Sequence, residues 1–137
     1  MELIEEDNLQ TLSKEMGTKR LGLLVMFHAS YCEYCERLEE DLLLPMLRSG
    51  EYDEKILLRK IQIDSSDDLI NFNGKKITTS QISSLYGAEM TPTLVFLDAS
   101  GEEQSERILG YTTPDLFSAY VDKGIDELYK VVITQGK

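Results

Sequence analysis

The chain has 137 residues, of which 42% are hydrophobic and 28% are charged, a composition typical of one globular domain with its own core. Its formal charge of −11 argues against nucleic acid and anionic membrane surfaces as partners, because both select for clustered Lys and Arg. No apolar run approaches the roughly 18 residues of a membrane-spanning helix, so we expect no membrane insertion.

The first half of the chain predicts two helices and two strands. Apolar residues recur at helical spacing over residues 2–17, which predicts an additional N-terminal helix. Continuous apolar residues over 21–28 predict a buried strand, and a helix follows over 33–48. Pro45 should kink that helix or end its first section. The strand over 55–64 is joined to the first strand through a helix, so the two should run parallel.

The second half begins with a polar insertion over residues 65–78. Within it, apolar and polar residues alternate around Asn73-Gly74, a strong signal for a β-hairpin. Thr79 should cap a short helix that ends at Gly87. The remaining predicted elements are a strand over 93–98, an antiparallel strand over 104–109 and a last helix that opens at Thr113-Pro114. This order predicts an α/β fold in a single domain over residues 1–137, with a central mixed β-sheet covered by helices on both faces.

The two cysteines form the motif Cys32-Glu33-Tyr34-Cys35, placed where the first buried strand ends and a helix begins. At a helix start, free backbone N–H groups and the helix dipole favour a thiolate over a thiol. The thiolate is the nucleophile of disulfide exchange, so this spacing in this context predicts a redox site.

Two other interpretations of the cysteine pair are weaker. A structural zinc site needs further ligands, and His28 with a carboxylate would have to supply them from an awkward position on the strand. A purely structural disulfide would close a very short loop. It would stabilise the fold little, because the entropic gain grows with loop length.

Two segments resemble the thioredoxin superfamily. Residues 25–35 are similar to the strand, the aromatic residue and the Cys-x-x-Cys motif of that fold. Residues 90–98 are similar to the segment whose proline, here Pro92, is cis and faces the cysteines. The resemblance spans residues 18–130 and implies a thioredoxin-like three-layer fold.

Finer features resemble the exported bacterial thioredoxin-like branch, which includes the SoxW-type proteins. These features are Phe72-Asn73-Gly74, Thr91-Pro92-Thr93 and Gly110-Tyr111. The acidic first residues lack the basic and apolar regions of a secretory signal peptide. We therefore expect a periplasmic or exported mature domain without its leader, with a cytoplasmic location as the alternative.

The resemblance implies a role for each residue around the motif. Cys32 would be the exposed nucleophile, and Cys35 the buried thiol that resolves the mixed disulfide. Pro92 would lie against the sulfurs, and the Thr91 backbone would pair with an extended substrate chain. A satisfied loop hydroxyl is the alternative for Thr91. The implied substrate-binding residues are Tyr31, Glu33, Tyr34, Thr91 and Pro92.

The motif also departs from the usual pattern of the family. The usual buried Asp, thought to aid proton transfer to the resolving thiol, is Met26 here, so water, Lys60 or another group must take that role. Glu33 stands beside the nucleophile, where a carboxylate opposes the thiolate, and this favours the reducing end of the family. His28, at the end of a strand, is interpreted as a neutral packing residue.

The sequence therefore predicts a thiol–disulfide oxidoreductase that reduces protein disulfides. The Cys32–Cys35 pair would itself be the redox group, with no other cofactor and no metal. Expected partners are protein disulfide substrates and an upstream thiol reductant, and the chain is expected to act as a monomer. A disulfide oxidase or isomerase is one alternative. A non-catalytic protein-binding module that the cysteines switch is another.

Overall fold

The computed structural model describes residues 2–135, and the predicted domain limits, Met1 and Lys137, lie outside that range. The strands are β1 (Ile4–Glu5), β2 (Gly22–His28), β3 (Ile56–Gln62), β4 (Asp68–Ile70), β5 (Lys76–Thr78), β6 (Thr93–Leu97) and β7 (Ile108–Leu109). The helices are α1 (Leu9–Lys19), α2 (Glu33–Leu38), α3 (Leu44–Ser49), α4 (Thr79–Leu85) and α5 (Pro114–Gln135), with a π-helical turn over Glu39–Leu43 between α2 and α3.

A five-stranded sheet forms the centre of the fold, in the order β1-β3-β2-β6-β7. β2 pairs parallel with β3 and antiparallel with β6, which confirms the predicted mixed sheet. The parallel pair is joined through α2 and α3, as expected for a strand–helix–strand crossover. The first six residues of β2 are fully buried, because helices cover this strand on both sides.

Two apolar clusters lie on opposite faces of the sheet. Successive side chains of a strand point to opposite faces, so Leu24 and Met26 pack with α2 and α5, whereas Leu23, Val25 and Phe27 pack with α1 and α4. This arrangement of helices, sheet and helices is the predicted three-layer α/β fold. Across residues 2–135, no helix is both long enough and apolar enough to cross a membrane.

The predicted N-terminal helix over residues 2–17 was wrong at its start and at its end. Ile4–Glu5 instead forms an edge strand parallel to β3. The helix begins after Asn8, whose side-chain oxygen accepts the N–H of Thr11 at 3.0 Å and so satisfies a free donor of the first turn. It continues through Gly17 to Lys19.

The interruption predicted at Pro45 takes the form of a wider helical turn. Leu44 N–H donates to Glu39 O, five residues back, instead of to the residue four back. Pro45 has no N–H to donate, so the ordinary ladder cannot pass through it, and the π turn lies directly before it. The chain thus keeps one continuous helical path from α2 into α3.

In the second half, the predicted hairpin is confirmed, because β4 and β5 pair antiparallel on either side of residues 71–75. The predicted cap was wrong by one residue. Thr78, not Thr79, accepts the N–H of Gln81, and the Gln81 side chain returns a bond to the Thr78 N–H. The predicted strand over 104–109 was also too long, since only Ile108–Leu109 pairs with β6 as a strand.

Candidate active site

The two cysteines occupy the first turn of α2 and are joined by a disulfide, with their Cα atoms 5.2 Å apart. Cys32 is the N-cap residue, and its Sγ accepts the N–H of Cys35 at 3.2 Å. Cys32 is half-buried, whereas Cys35 is only 3% exposed and belongs to the apolar cluster beneath the helix. The first sulfur therefore lies at the positive end of a helix, and the second lies in the core.

The loop before Cys32 is anchored to the end of β3. The Asp64 carboxylate accepts the backbone N–H of Ser30 at 3.0 Å, the Ser30 hydroxyl, and the Gln62 side-chain amide at 3.0 Å. These bonds, that of the Ser30 hydroxyl first, lower the pKa of Asp64 to about 2. The anchored loop includes Tyr31, which has a left-handed φ of 59°. Such a conformation costs on the order of 1 kcal/mol for a residue with a Cβ.

A groove with a volume of about 480 Å³ runs beside the cysteine motif. The Thr91–Pro92 peptide bond in its wall is cis, and Pro92 is buried while Thr91 is half-buried. The main lining residues are Tyr34, Arg37, Met90, Thr91, Pro92 and Tyr111. The fold thus brings three of the sequence-predicted site residues, Tyr34, Thr91 and Pro92, to one groove.

The other two predicted substrate-binding residues lie outside this groove. Tyr31 is fully exposed, and the Glu33 side chain is 80% exposed at the start of α2. Arg37 approaches both Glu33, at 3.9 Å between Nη2 and Oε1, and the Tyr34 ring, at 5.8 Å from its centroid. At such exposure, these contacts are weak and do not fix the side chains in place.

Sequence reasoning missed the polar support of the groove floor. Tyr111 donates its hydroxyl to Asp41 at 3.0 Å, and its ring meets Phe117 edge-on with centroids 4.9 Å apart. Burial, followed by the bond to Asp41, raises the pKa of the Tyr111 hydroxyl. These contacts connect the π-helical turn after α2 with Tyr111 and the first turn of α5. The sequence points to Gly110-Tyr111, but it does not identify Asp41 as the partner of Tyr111.

A second missed contact lies beneath α2. Lys60 is the register partner of Met26 across β2 and β3, and its Nζ donates to Glu39 Oε1 at 3.0 Å. The two side chains are 23% and 22% exposed. The sequence pointed to Lys60 near the cysteines, but it did not identify Glu39 as the partner.

His28 has a charged partner, so the interpretation as a neutral packing residue was incomplete. Its Nε2 lies 2.6 Å from Glu5 Oε1, and its side chain is 14% exposed. The second Glu5 oxygen accepts the N–H of Gln62 at 3.0 Å. The ring is thereby held against the edge strand β1. Within residues 2–135, no three His, Cys, Asp or Glu side chains are grouped as metal ligands.

These features, a mixed sheet between helix layers with a Cys-x-x-Cys pair at a helix start, define a thioredoxin-like protein. The sequence matches the family described as "Thioredoxin-like domain" over residues 9–125. This match covers most of the chain, and the chain belongs to that family. The fold and the cysteine pair at disulfide distance support a thiol–disulfide redox role. Comparison of the sequence with curated proteins found no match.

Solved structures show the same fold. A thioredoxin-fold protein from Helicobacter pylori gives a TM-score of 0.55 at 19% identity, covering 86% of this chain and 89% of that one. DsbH oxidoreductase gives 0.63 at 15% identity, covering 92% and 86%. The periplasmic thioredoxin SoxS from Paracoccus pantotrophus gives 0.53 at 20% identity, covering 77% and 97%. At these identities the similarity concerns the fold alone.

Proposed function

We propose that the protein is a thiol–disulfide oxidoreductase that reduces protein disulfides, with Cys32 as the nucleophile and Cys35 as the resolving thiol. The observation that carries this proposal is the asymmetry of the pair. Cys32 Sγ accepts a backbone N–H at the start of α2 and is half-exposed, whereas Cys35 is 3% exposed. A helix start stabilises a thiolate, and an accessible thiolate is the attacking species in disulfide exchange.

In the proposed reaction, the cysteine pair is the redox group and no other cofactor takes part. The Cys32 thiolate attacks one sulfur of a substrate disulfide, and the other substrate sulfur leaves as a thiolate that takes up a proton. Cys35 then loses its proton and attacks the Cys32 sulfur, which forms the Cys32–Cys35 disulfide and releases the second substrate thiolate. An upstream thiol reductant returns two electrons and two protons to the pair.

The groove is the proposed binding site for the substrate chain. Tyr34 of the cysteine motif lines the groove, and the cis Thr91–Pro92 bond lies in the wall of the groove. Proline offers no N–H at that point, so an extended substrate would pair with the Thr91 backbone instead. Tyr31 and Glu33, both exposed, would contact the substrate outside the groove.

The reducing direction rests on Glu33. Its carboxylate follows the nucleophile directly and opposes the thiolate charge that the helix dipole favours. A less stabilised thiolate makes the dithiol a better reductant. Equilibration with a glutathione redox buffer measures the reduction potential of the Cys32–Cys35 pair. We expect a value of about −270 mV, whereas a value of about −120 mV would identify an oxidase instead.

Turnover separates an enzyme from a binding module. Reduction of insulin disulfides should proceed with the wild-type protein and stop in Cys32→Ser and in Cys35→Ser. The Cys35→Ser variant should in addition accumulate a mixed disulfide at Cys32, which can be isolated with its partner attached. If the wild type shows no turnover, and Cys32→Ser binds partners as well as the wild type does, the protein is not an enzyme.

Location and assembly belong to the same proposal. The sequence resembles exported bacterial thioredoxin-like proteins, and one structure of the same fold is described as periplasmic. We infer an exported protein that acts as a monomer on other polypeptides. Cell fractionation and sedimentation at micromolar concentration test the two points separately, and a cytoplasmic location would leave the chemistry of the pair unchanged.

A further inference from the structure

We propose that the Glu39 carboxylate accepts the proton of the Cys35 thiol during the resolving step, and that Lys60 positions that carboxylate. This inference rests on the proposed function, because it assigns a proton acceptor to a step of that reaction. Met26 occupies the position of the buried carboxyl usual in the family and cannot accept a proton.

The need for an acceptor follows from the surroundings of Cys35. Its side chain packs in the same buried cluster as Met26 and Leu38. Neither of these side chains has a nitrogen or oxygen atom that could accept the thiol proton. A thiol in apolar surroundings resists ionisation, yet only the thiolate can attack the mixed disulfide. A base near this thiol therefore accelerates resolution.

Glu39 lies one helical turn beyond Cys35. Its backbone N–H donates to Cys35 O, so the turn between the two residues is intact. Side chains four residues apart on a helix are neighbours, with Cβ atoms about 5–6 Å apart. From that spacing a Glu side chain is long enough to meet the thiol proton directly or through one water, which is the reach required of a general base.

Lys60 holds this carboxylate beneath the helix. Ile56 and Leu58 belong to the same cluster as Cys35, and alternation along β3 places Lys60 on that face as well. Its Nζ donates to Glu39 Oε1 at 3.0 Å, beside Met26 in the strand register. The ion pair keeps Glu39 only 22% exposed, although the residue belongs to an acidic stretch.

The other nearby carboxylates have different surroundings. Glu36 and Glu40 are exposed to solvent. Glu5, the register partner of Lys60 on β1, is engaged by His28 and by the N–H of Gln62. Asp41 is exposed and accepts the Tyr111 hydroxyl. Of these carboxylates, Glu39 is therefore the one that is both partly buried and held by a strand residue.

The Cys35 proton passes to Glu39, the Cys35 sulfur attacks the Cys32 sulfur, and the bond between Cys32 and the substrate sulfur breaks. The substrate sulfur leaves with the electron pair as a thiolate and is protonated by solvent. Glu39 then returns its proton to water.

Rapid mixing with the chromogenic disulfide dithiobis(nitrobenzoate) at equimolar concentration tests the assignment. The first thionitrobenzoate is released when Cys32 attacks, at a rate that depends on concentration. The second is released when Cys35 resolves the mixed disulfide, at a rate independent of concentration. For Glu39→Gln near neutral pH, we expect the second phase to slow by at least about tenfold, since general base catalysis typically contributes 10²–10⁴-fold.

Glu40→Gln is the matched control, because it removes the same charge from the neighbouring exposed residue. Both variants should share the same first phase. The Glu39→Gln deficit should shrink as the pH rises, because hydroxide increasingly takes the thiol proton without a side-chain base. Equal second phases in the two variants would overturn the role of Glu39. A wild-type protein that releases a single thionitrobenzoate would instead overturn the proposed function.

Lys60→Gln gives a second test that does not depend on the folding of Glu39→Gln. Without the Lys60 ammonium, nothing on β3 holds the Glu39 carboxylate beneath the helix. The second phase should therefore slow in Lys60→Gln and recover in Lys60→Arg, which keeps a donor, with the first phase unmoved in both. A second phase at the wild-type rate in Lys60→Gln would contradict the positioning role, even if the variant is less stable.

Discussion

Cys32 and Cys35 differ in their surroundings although they stand three residues apart. Cys32 is half-exposed at the helix start, and Cys35 is 3% exposed in the apolar cluster. Alkylation depends on both access and thiolate character. We therefore predict that iodoacetamide labels Cys32 well before Cys35 in the reduced protein at neutral pH. Mass mapping after a short pulse measures the order.

The matched controls for this labelling are the single variants. Cys32→Ser leaves only the buried thiol and should label slowly, whereas Cys35→Ser leaves the accessible thiol and should label at the fast wild-type rate. Labelling that is equal at the two positions, or faster at Cys35, would reverse the assignment of nucleophile and resolving thiol.

At the scale of single residues, local spacing predicted the redox pair but not its supports. Cys32 and Cys35 lie within one helical turn, so a short stretch of sequence is enough to predict that they are close together. Glu39 and Lys60 are 21 residues apart in sequence, and Ser30 and Asp64 are 34 residues apart. Such pairs form only when the crossover places α2 beside β3, and no short sequence window contains that information.

At the scale of elements, apolar periodicity located the buried faces better than it located the element ends. Leu9, Leu12 and Met16 are buried on one helix face, as the pattern predicted. The helix start was set by the Asn8 cap, and residues 4–5 joined the edge of the sheet instead. Similarly, residues 104–107 form no strand with β6, although Gln104 N–H donates to Phe96 O at 3.0 Å.

The packing of α5 on the sheet depends on a glycine. A Cβ added to Gly124 would lie 2.5 Å from Cζ of Phe96, a side chain with no exposed surface. We predict that Gly124→Ala lowers the free energy of unfolding. The overpacking cost of about 1–3 kcal/mol should exceed the gain of about 1 kcal/mol in helix propensity. Urea unfolding measures the difference.

Gly17→Ala is the matched control for this substitution. Gly17 is also helical, but a Cβ there would meet no atom within 4 Å. Only the propensity gain applies, so this variant should be stabilised by about 0.5–1 kcal/mol. If both variants were stabilised alike, the close approach of α5 to Phe96 would be wrong.

At the scale of the whole molecule, one buried carboxylate connects the sheet to the end of the chain. Asp98 follows β6 and is 1% exposed. Its oxygens accept the side-chain amides of Gln104 at 2.8 Å and Gln135 at 3.0 Å, and the N–H of Glu102 at 3.0 Å. The Ser100 hydroxyl adds a further bond at 2.7 Å. The end of α5 is therefore fixed to the turn after β6 through a single residue.

This connection predicts a pH-dependent contribution to stability. Burial alone would raise the pKa of Asp98, but the hydrogen bonds, led by that of Ser100, outweigh it and hold the pKa below its usual value. A carboxyl with a lowered pKa stabilises the fold fully above its unfolded pKa of about 3.9, and the contribution is lost as pH falls through the folded pKa. Asp98→Asn replaces charge-assisted bonds with neutral ones and should cost roughly 1–2 kcal/mol at pH 7.

The pH dependence separates this charge effect from a simple packing defect. As the pH falls below the unfolded pKa of about 3.9, the unfolded wild-type chain takes up a proton that folded Asp98 resists, so the stability gap should narrow. Asp53→Asn, at an exposed position, should stay within about 0.5 kcal/mol of wild type at both pH values. Urea unfolding at pH 7 and at pH 3 compares the three proteins. A gap for Asp98→Asn that is equal at the two pH values would show that shape, and not the charge of Asp98, holds α5 to the sheet.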